Sequence, residues 1–169
     1  LAKGNAKLTM KNIQLSSVDS GIFSQGAGNE ILVEDCMLNV PNYYAVYQNG
    51  SAAASTITLR DSTITSAYDA GGYISNADRP GGLKQSLVME NCTVTAKTAV
   101  EVKHTNAVRR DCTLIGTGPL TALVNGSGNC TTGYAFAMTT NDATEKATGN
   151  ATLTNCKLYR EAEGAGEGV

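Results

Sequence analysis

The chain has 169 residues, of which 41% are hydrophobic, and 13 Lys and Arg against 15 Asp and Glu give a formal net charge of −2. That length suits one sizeable domain, and the even charge balance lacks the basic stripe that neutralises phosphates, so nucleic acid is not expected as a partner. Trp is absent and Phe occurs twice, so a core must be filled with small and β-branched side chains, as in stacked strands rather than packed helices.

Six ten-residue segments share one pattern: an alternating apolar strand, then Asn or Asp, then a second short alternating strand. In chain order they are 8–17, 31–40, 57–66, 87–96, 107–116 and 151–160. Their fifth residues are Asn12, Asp35, Asp61, Asn91, Asp111 and Asn155. The sixth are Ile13, Cys36, Ser62, Cys92, Cys112 and Cys156. A sharp bend between two strands needs one residue in the left-handed region, which Asn and Asp tolerate best after Gly. Alternation sends Leu8, Met10, Ile13 and Leu15 inward, with Ile31, Val33, Cys36 and Leu38 and their later equivalents. Arg109 breaks an apolar column, and the strand is expected to slip register or bend outward there.

Between the decapeptides lie further short strands, at 21–25, 44–49, 72–76, 99–103 and 121–125, so each repeat of about 22 residues holds three. The last spacing, from Cys112 to Cys156, is read as two repeats, with a degenerate one in 126–150 built on Gly133, Tyr134, Phe136 and Met138; a loop excursion is the alternative. The expected organisation is one domain over 1–160 and a Gly- and Glu-rich flexible tail over 161–169. Both ends read as cuts from a longer parent chain.

The Asn/Asp column, the Cys/Ser/Ile column and the repeat length resemble the right-handed parallel β-helix of the pectate-lyase-like superfamily and of bacterial surface proteins. The resemblance covers most of 8–160 and implies an all-β solenoid of about seven coils with three short strands per coil. It also implies a functional groove along the third strand and the loop after it, where this sequence carries Tyr47, Tyr73, Asp78, Arg79, Glu101, Lys103 and His104. Tyr43 and Tyr44 lie nearby, and tyrosines on adjacent coils would stack against sugar rings.

Catalysis is not expected. A lyase of this fold needs clustered acidic calcium ligands and a basic proton abstractor, and a hydrolase needs two carboxylates across a cleft. Neither pattern occurs, so no cofactor is expected, and calcium finds no ligand cluster. If the chain were an enzyme, it would be a polysaccharide lyase or glycoside hydrolase. The Thr array is interrupted by Met37, Lys157 and Tyr159, which argues against an ice-binding face. The cysteine column is read as small buried hydrophobes rather than a metal site, since one column cannot converge tetrahedrally; Cys130, outside it, is the expected exposed thiol. The reading is a non-catalytic adhesive or structural module of a bacterial surface or secreted protein, extracellular, without a membrane span. Its partner would be a glycan or a host or cell-surface protein, and the alternative is a carbohydrate-binding or polysaccharide-degrading module.

Overall fold

The computed structural model describes residues 1–16, 19–26, 28–49, 55–67, 70–75, 85–103, 105–118, 133–139 and 149–161. Among them there are strands and turns and no helix, so no helix is long and apolar enough to cross a membrane. Sheet A is ordered β1 (Ala2–Lys3), β4 (Ile22–Gln25), β7 (Val46–Asn49), β10 (Ala70–Ser75), β13 (Thr98–Lys103), β16 (Phe136–Thr139). Sheet B is β2 (Lys7–Lys11), β5 (Glu30–Glu34), β8 (Thr56–Arg60), β11 (Gln85–Glu90), β14 (Thr105–Arg110), β17 (Ala151–Thr154). Sheet C is β3 (Gln14–Ser16), β6 (Met37–Val40), β9 (Thr63–Ser66), β12 (Thr93–Ala96), β15 (Thr113–Gly116), β18 (Lys157–Arg160). Among the described residues every strand pairing is parallel.

From β2 onward the chain visits sheets B, C and A in turn, so β2–β3–β4 make one circuit and β5–β6–β7 the next. Each of the six decapeptides supplies one strand of sheet C and most of one strand of sheet B. Four of the five expected third strands fall in sheet A, as β4, β7, β10 and β13. The fifth, at 121–125, lies outside the described residues; the place beside β13 is held by β16, with Val100 opposite Phe136. Ala107 pairs directly with Ala151, so the described strands of sheet B place Asp111 and Asn155, 44 positions apart in sequence, on neighbouring strands. Within that span, 119–132 and 140–148 lie outside the described residues.

The bend column behaves as its chemistry requires. Asn12, Asp35, Asp61, Asn91, Asp111 and Asn155 all have φ between 46° and 54°, the left-handed region where Asn and Asp cost least. Where an Asn follows an Asp in the column, its amide donates to the carboxylate below: Asn91 Nδ2 to Asp61 Oδ1 at 2.6 Å and Asn155 Nδ2 to Asp111 Oδ1 at 3.2 Å. The next residue turns inward and caps a carbonyl two residues back. Cys36 Sγ donates to Glu34 O at 3.1 Å, Ser62 Oγ to Arg60 O at 2.6 Å, Cys92 Sγ to Glu90 O at 3.2 Å and Cys112 Sγ to Arg110 O at 3.1 Å. Cysteine and serine therefore do the same work there, and the thiols add apolar bulk to the core.

At the opposite corner, where sheet A passes into sheet B, runs a ladder that the sequence reading did not find: Ala6, Asn29, Ser55, Gln85 and Thr105. Three of the polar side chains accept from the backbone N–H one circuit earlier, Asn29 Oδ1 from Ala6 at 3.0 Å, Ser55 Oγ from Asn29 at 3.0 Å and Gln85 Oε1 from Ser55 at 2.7 Å, while Thr105 Oγ1 donates to Lys103 O at 2.7 Å. Asn29 Nδ2 also donates to Ser24 Oγ at 2.9 Å and to Gln25 O at 3.1 Å. All four polar members are buried, so these bonds satisfy groups that would otherwise be costly.

Between the corners the core is a set of apolar columns, among them Leu38, Ile64, Val94 and Leu114. At mid-stack the space between Leu59, Leu87, Met89 and Val100 is too small to admit a water molecule. The inward residues of the end circuits, Leu8 and Met10 at one end and Cys156 and Leu158 at the other, stay partly exposed or exposed.

Candidate functional site

The outward face of sheet A carries the residues that the groove analogy singles out. Register aligns Phe23, Tyr47, Tyr73, Glu101 and Ala137 in one column. Parallel in-register pairing puts like positions side by side, so aromatic rings there stack directly. Phe23 and Tyr47 do so with centroids 4.8 Å apart and planes 11° apart. Tyr44 lies against Tyr47 at 5.2 Å and edge-on to Tyr43 at 4.7 Å. Tyr43 and Tyr47 are half-buried while Tyr44 is 6% exposed, so part of the aromatic surface is spent within the cluster.

Glu101 and Lys103 stand two residues apart on β13 and face the same way. Glu101 Oε1 lies 3.7 Å from Lys103 Nζ and accepts from Thr139 Oγ1 at 2.7 Å. Both charged side chains are 1% exposed. The structure thus brings Glu101 and Lys103 together, but as a shielded pair rather than a solvent-facing groove. Tyr73 is placed in register between Tyr47 and Glu101 by its backbone. Asp78, Arg79, His104 and Cys130 lie outside the described residues. Among the described residues no group of three His, Cys, Asp or Glu is arranged to hold a metal ion.

The outward face of sheet B is a charge ladder. Lys11 pairs with Glu34 at 2.6 Å, Arg60 with Glu90 at 2.8 Å and Arg110 with the same Glu90 at 3.2 Å. Lys7 pairs with Glu30 at 2.9 Å beside it. A shallow depression of about 510 Å³ opens there, between Lys7, Glu30, Thr56, Thr58 and Arg60, and its charged groups are already paired, Lys7 with Glu30 and Arg60 with Glu90.

Arg109 is the residue that sequence reasoning misplaced. Neither expected outcome occurs: β14 keeps register, with Met89 and Leu153 on either side of Arg109, and the side chain turns inward to 0% exposure. Its guanidinium carbon sits 4.6 Å from the Phe136 ring centroid, a cation–π contact made possible because β16 delivers Phe136 to the interior. Nε, Nη1 and Nη2 are all buried without a hydrogen-bond partner. Burial lowers the guanidinium pKa from 12.5 to about 10, with Cys112 and Cys156 acting against that trend. The signal in the sequence was the charge itself, in a column otherwise apolar. Comparison with protein-family models, curated proteins and solved structures finds no match.

Proposed function

We propose that the chain is part of a right-handed parallel β-helix of the pectate-lyase-like kind, and that it serves as a non-catalytic adhesive or structural module of an extracellular or cell-surface bacterial protein. The observation that carries this reading is the cyclic order of three parallel six-stranded sheets, held by ladders at two corners and by matched charges on one face. Such a stack is a rigid spacer whose outward residues are free to vary with the partner. The half-buried Phe23–Tyr47 stack supports a second reading, glycan recognition, because flat aromatic faces pack well against sugar rings. Fold likeness alone carries no activity.

The experiment is a glycan array probed with the purified chain, with and without calcium, beside a turnover assay on a polysaccharide panel. The module reading expects no turnover. Selective glycan binding that disappears in Tyr47→Ala moves the assignment to the second reading. Cleavage of any polysaccharide overturns the non-catalytic assignment.

A further inference from the structure

Strands β1, β2 and β3 each begin a sheet and together make one end layer of the stack, its head; β16, β17 and β18 each finish a sheet and make the other, its tail. The outer edge of a terminal strand presents backbone N–H and C=O groups to any chain that can pair with them. One layer in from the head, Ile31, Val33, Cys36 and Leu38 are no more than 4% exposed. In the end layers the same columns stay open, with Ile13 40% exposed at the head and Leu158 52% exposed at the tail. Of the large hydrophobic side chains exposed among the described residues, all but Met37 lie in an end layer or adjoin one. Apolar exposure is thus concentrated at the two ends.

Head and tail fit each other column by column. The register of sheet B runs unbroken from Leu8 to Ala151 and from Met10 to Leu153, and that of sheet C from Leu15 to Leu158. With β2 of one copy laid beside β17 of another in this register, Leu8 falls on Ala151 and Met10 on Leu153, while Leu15 falls on Leu158 and Ile13 on Cys156. The bend column continues with Asn12 against Asn155, at φ 54° and 53°, two neutral amides suited to a stacked amide ladder. The charges agree as well. Lys11 meets Thr154, Lys3 meets Thr139 and Lys157 meets Gln14, so the described strands set no like charges directly opposite one another. Two heads fit less well: a two-fold axis through the middle of sheet A lays the five-residue β2 on the three-residue β3 with strands antiparallel.

We infer that a second copy of this chain docks head to tail on the first, β1–β2–β3 against β16–β17–β18, and continues the stack in the same parallel register. The contact repeats the layer-on-layer interface that holds each copy together. It is heterologous, so every addition leaves one head and one tail open and growth proceeds to a filament rather than closing as a dimer. Each copy adds six layers, about 29 Å of length at about 4.8 Å per layer. The inference rests on the stack itself and not on the partner proposed for its outer faces.

Sedimentation velocity of the purified chain at rising concentration is expected to show species that grow beyond the dimer, seen by electron microscopy as unbranched rods. Ile13→Lys blocks the head and Leu158→Lys blocks the tail, each at a position already exposed in the single copy, so both variants should keep the wild-type circular dichroism. Each alone is expected to lose association and sediment as a monomer. Mixed in equal amounts, they should form a one-to-one heterodimer that grows no further, because one brings an intact head and the other an intact tail. A wild-type chain that stays monomeric at millimolar concentration overturns the inference, however the variants behave. So does a variant that still associates with itself, through like ends or outer faces, or a mixture of folded variants that stays monomeric.

Discussion

Replacing Arg109 by Met tests whether the stack tolerates this charge or depends on it. Lowering the guanidinium from 12.5 to about 10 corresponds, at 1.36 kcal/mol per pH unit, to a cost on the order of 3 kcal/mol for holding the charge inside. The contact with Phe136 offsets about 2 kcal/mol when desolvated. Methionine fits a column that already holds Met10 and Met89, and gains burial without an orphaned donor. At pH 5, where the Cys112 thiol is protonated in both folded and unfolded chains, Arg109→Met should therefore be between neutral and about 2 kcal/mol more stable than wild type. Above that pH the balance changes sign of slope. Cys112 has a depressed folded pKa, so its contribution is fully present above the unfolded value of 9.0 and is lost as pH falls through about 6. Cys92 is the largest cause of that shift and Arg109 a smaller one, so wild type should gain on the variant between pH 6 and pH 9 only by the Arg109 share. Urea unfolding at pH 5 and pH 8, with m-values compared, measures both. A loss of more than about 1 kcal/mol at pH 5 with m unchanged, or a gap in favour of Met that widens with pH, would refute the reasoning.

Other substitutions address the ladders. Asn91→Ala forces alanine into φ 51° and removes the bond to Asp61, and should cost about 1–3 kcal/mol in thermal unfolding, with Asn91→Gly recovering the conformational part. Asn29→Leu strands the Ala6 N–H and the Ser24 hydroxyl and should cost about 2–4 kcal/mol by chemical denaturation, more than any single exposed ion pair. Glu90→Lys sets a third positive charge between Arg60 and Arg110; a loss of about 1 kcal/mol is expected at low salt, and raising the ionic strength should erase most of it.

The parts of this fold that could be read from sequence are those that depend on one residue type at one place. The left-handed bend admits Asn and Asp and little else, so its column shows as letters, and all six members have the expected φ. The second corner asks only for an acceptor oxygen aimed at a backbone N–H, which Asn29, Ser55 and Gln85 supply from side chains of different length. No common letter marks it. Arg109 reads as an interruption because charge in an apolar column ordinarily turns outward; its burial goes with Phe136, 27 positions on in sequence, whose ring it faces. Glu101 and Lys103 followed the period-two rule for direction, yet direction does not report shielding, and both are buried.

The charges on sheet B impose a parity on the stack. Read along one column, Lys11, Glu34, Arg60, Glu90 and Arg110 alternate in sign from circuit to circuit. Deleting the circuit β8–β9–β10 would bring Glu34 against Glu90, whereas deleting β5 to β10 would bring Lys11 against Glu90. Single duplications or losses of a repeat are thus penalised, and paired ones are not.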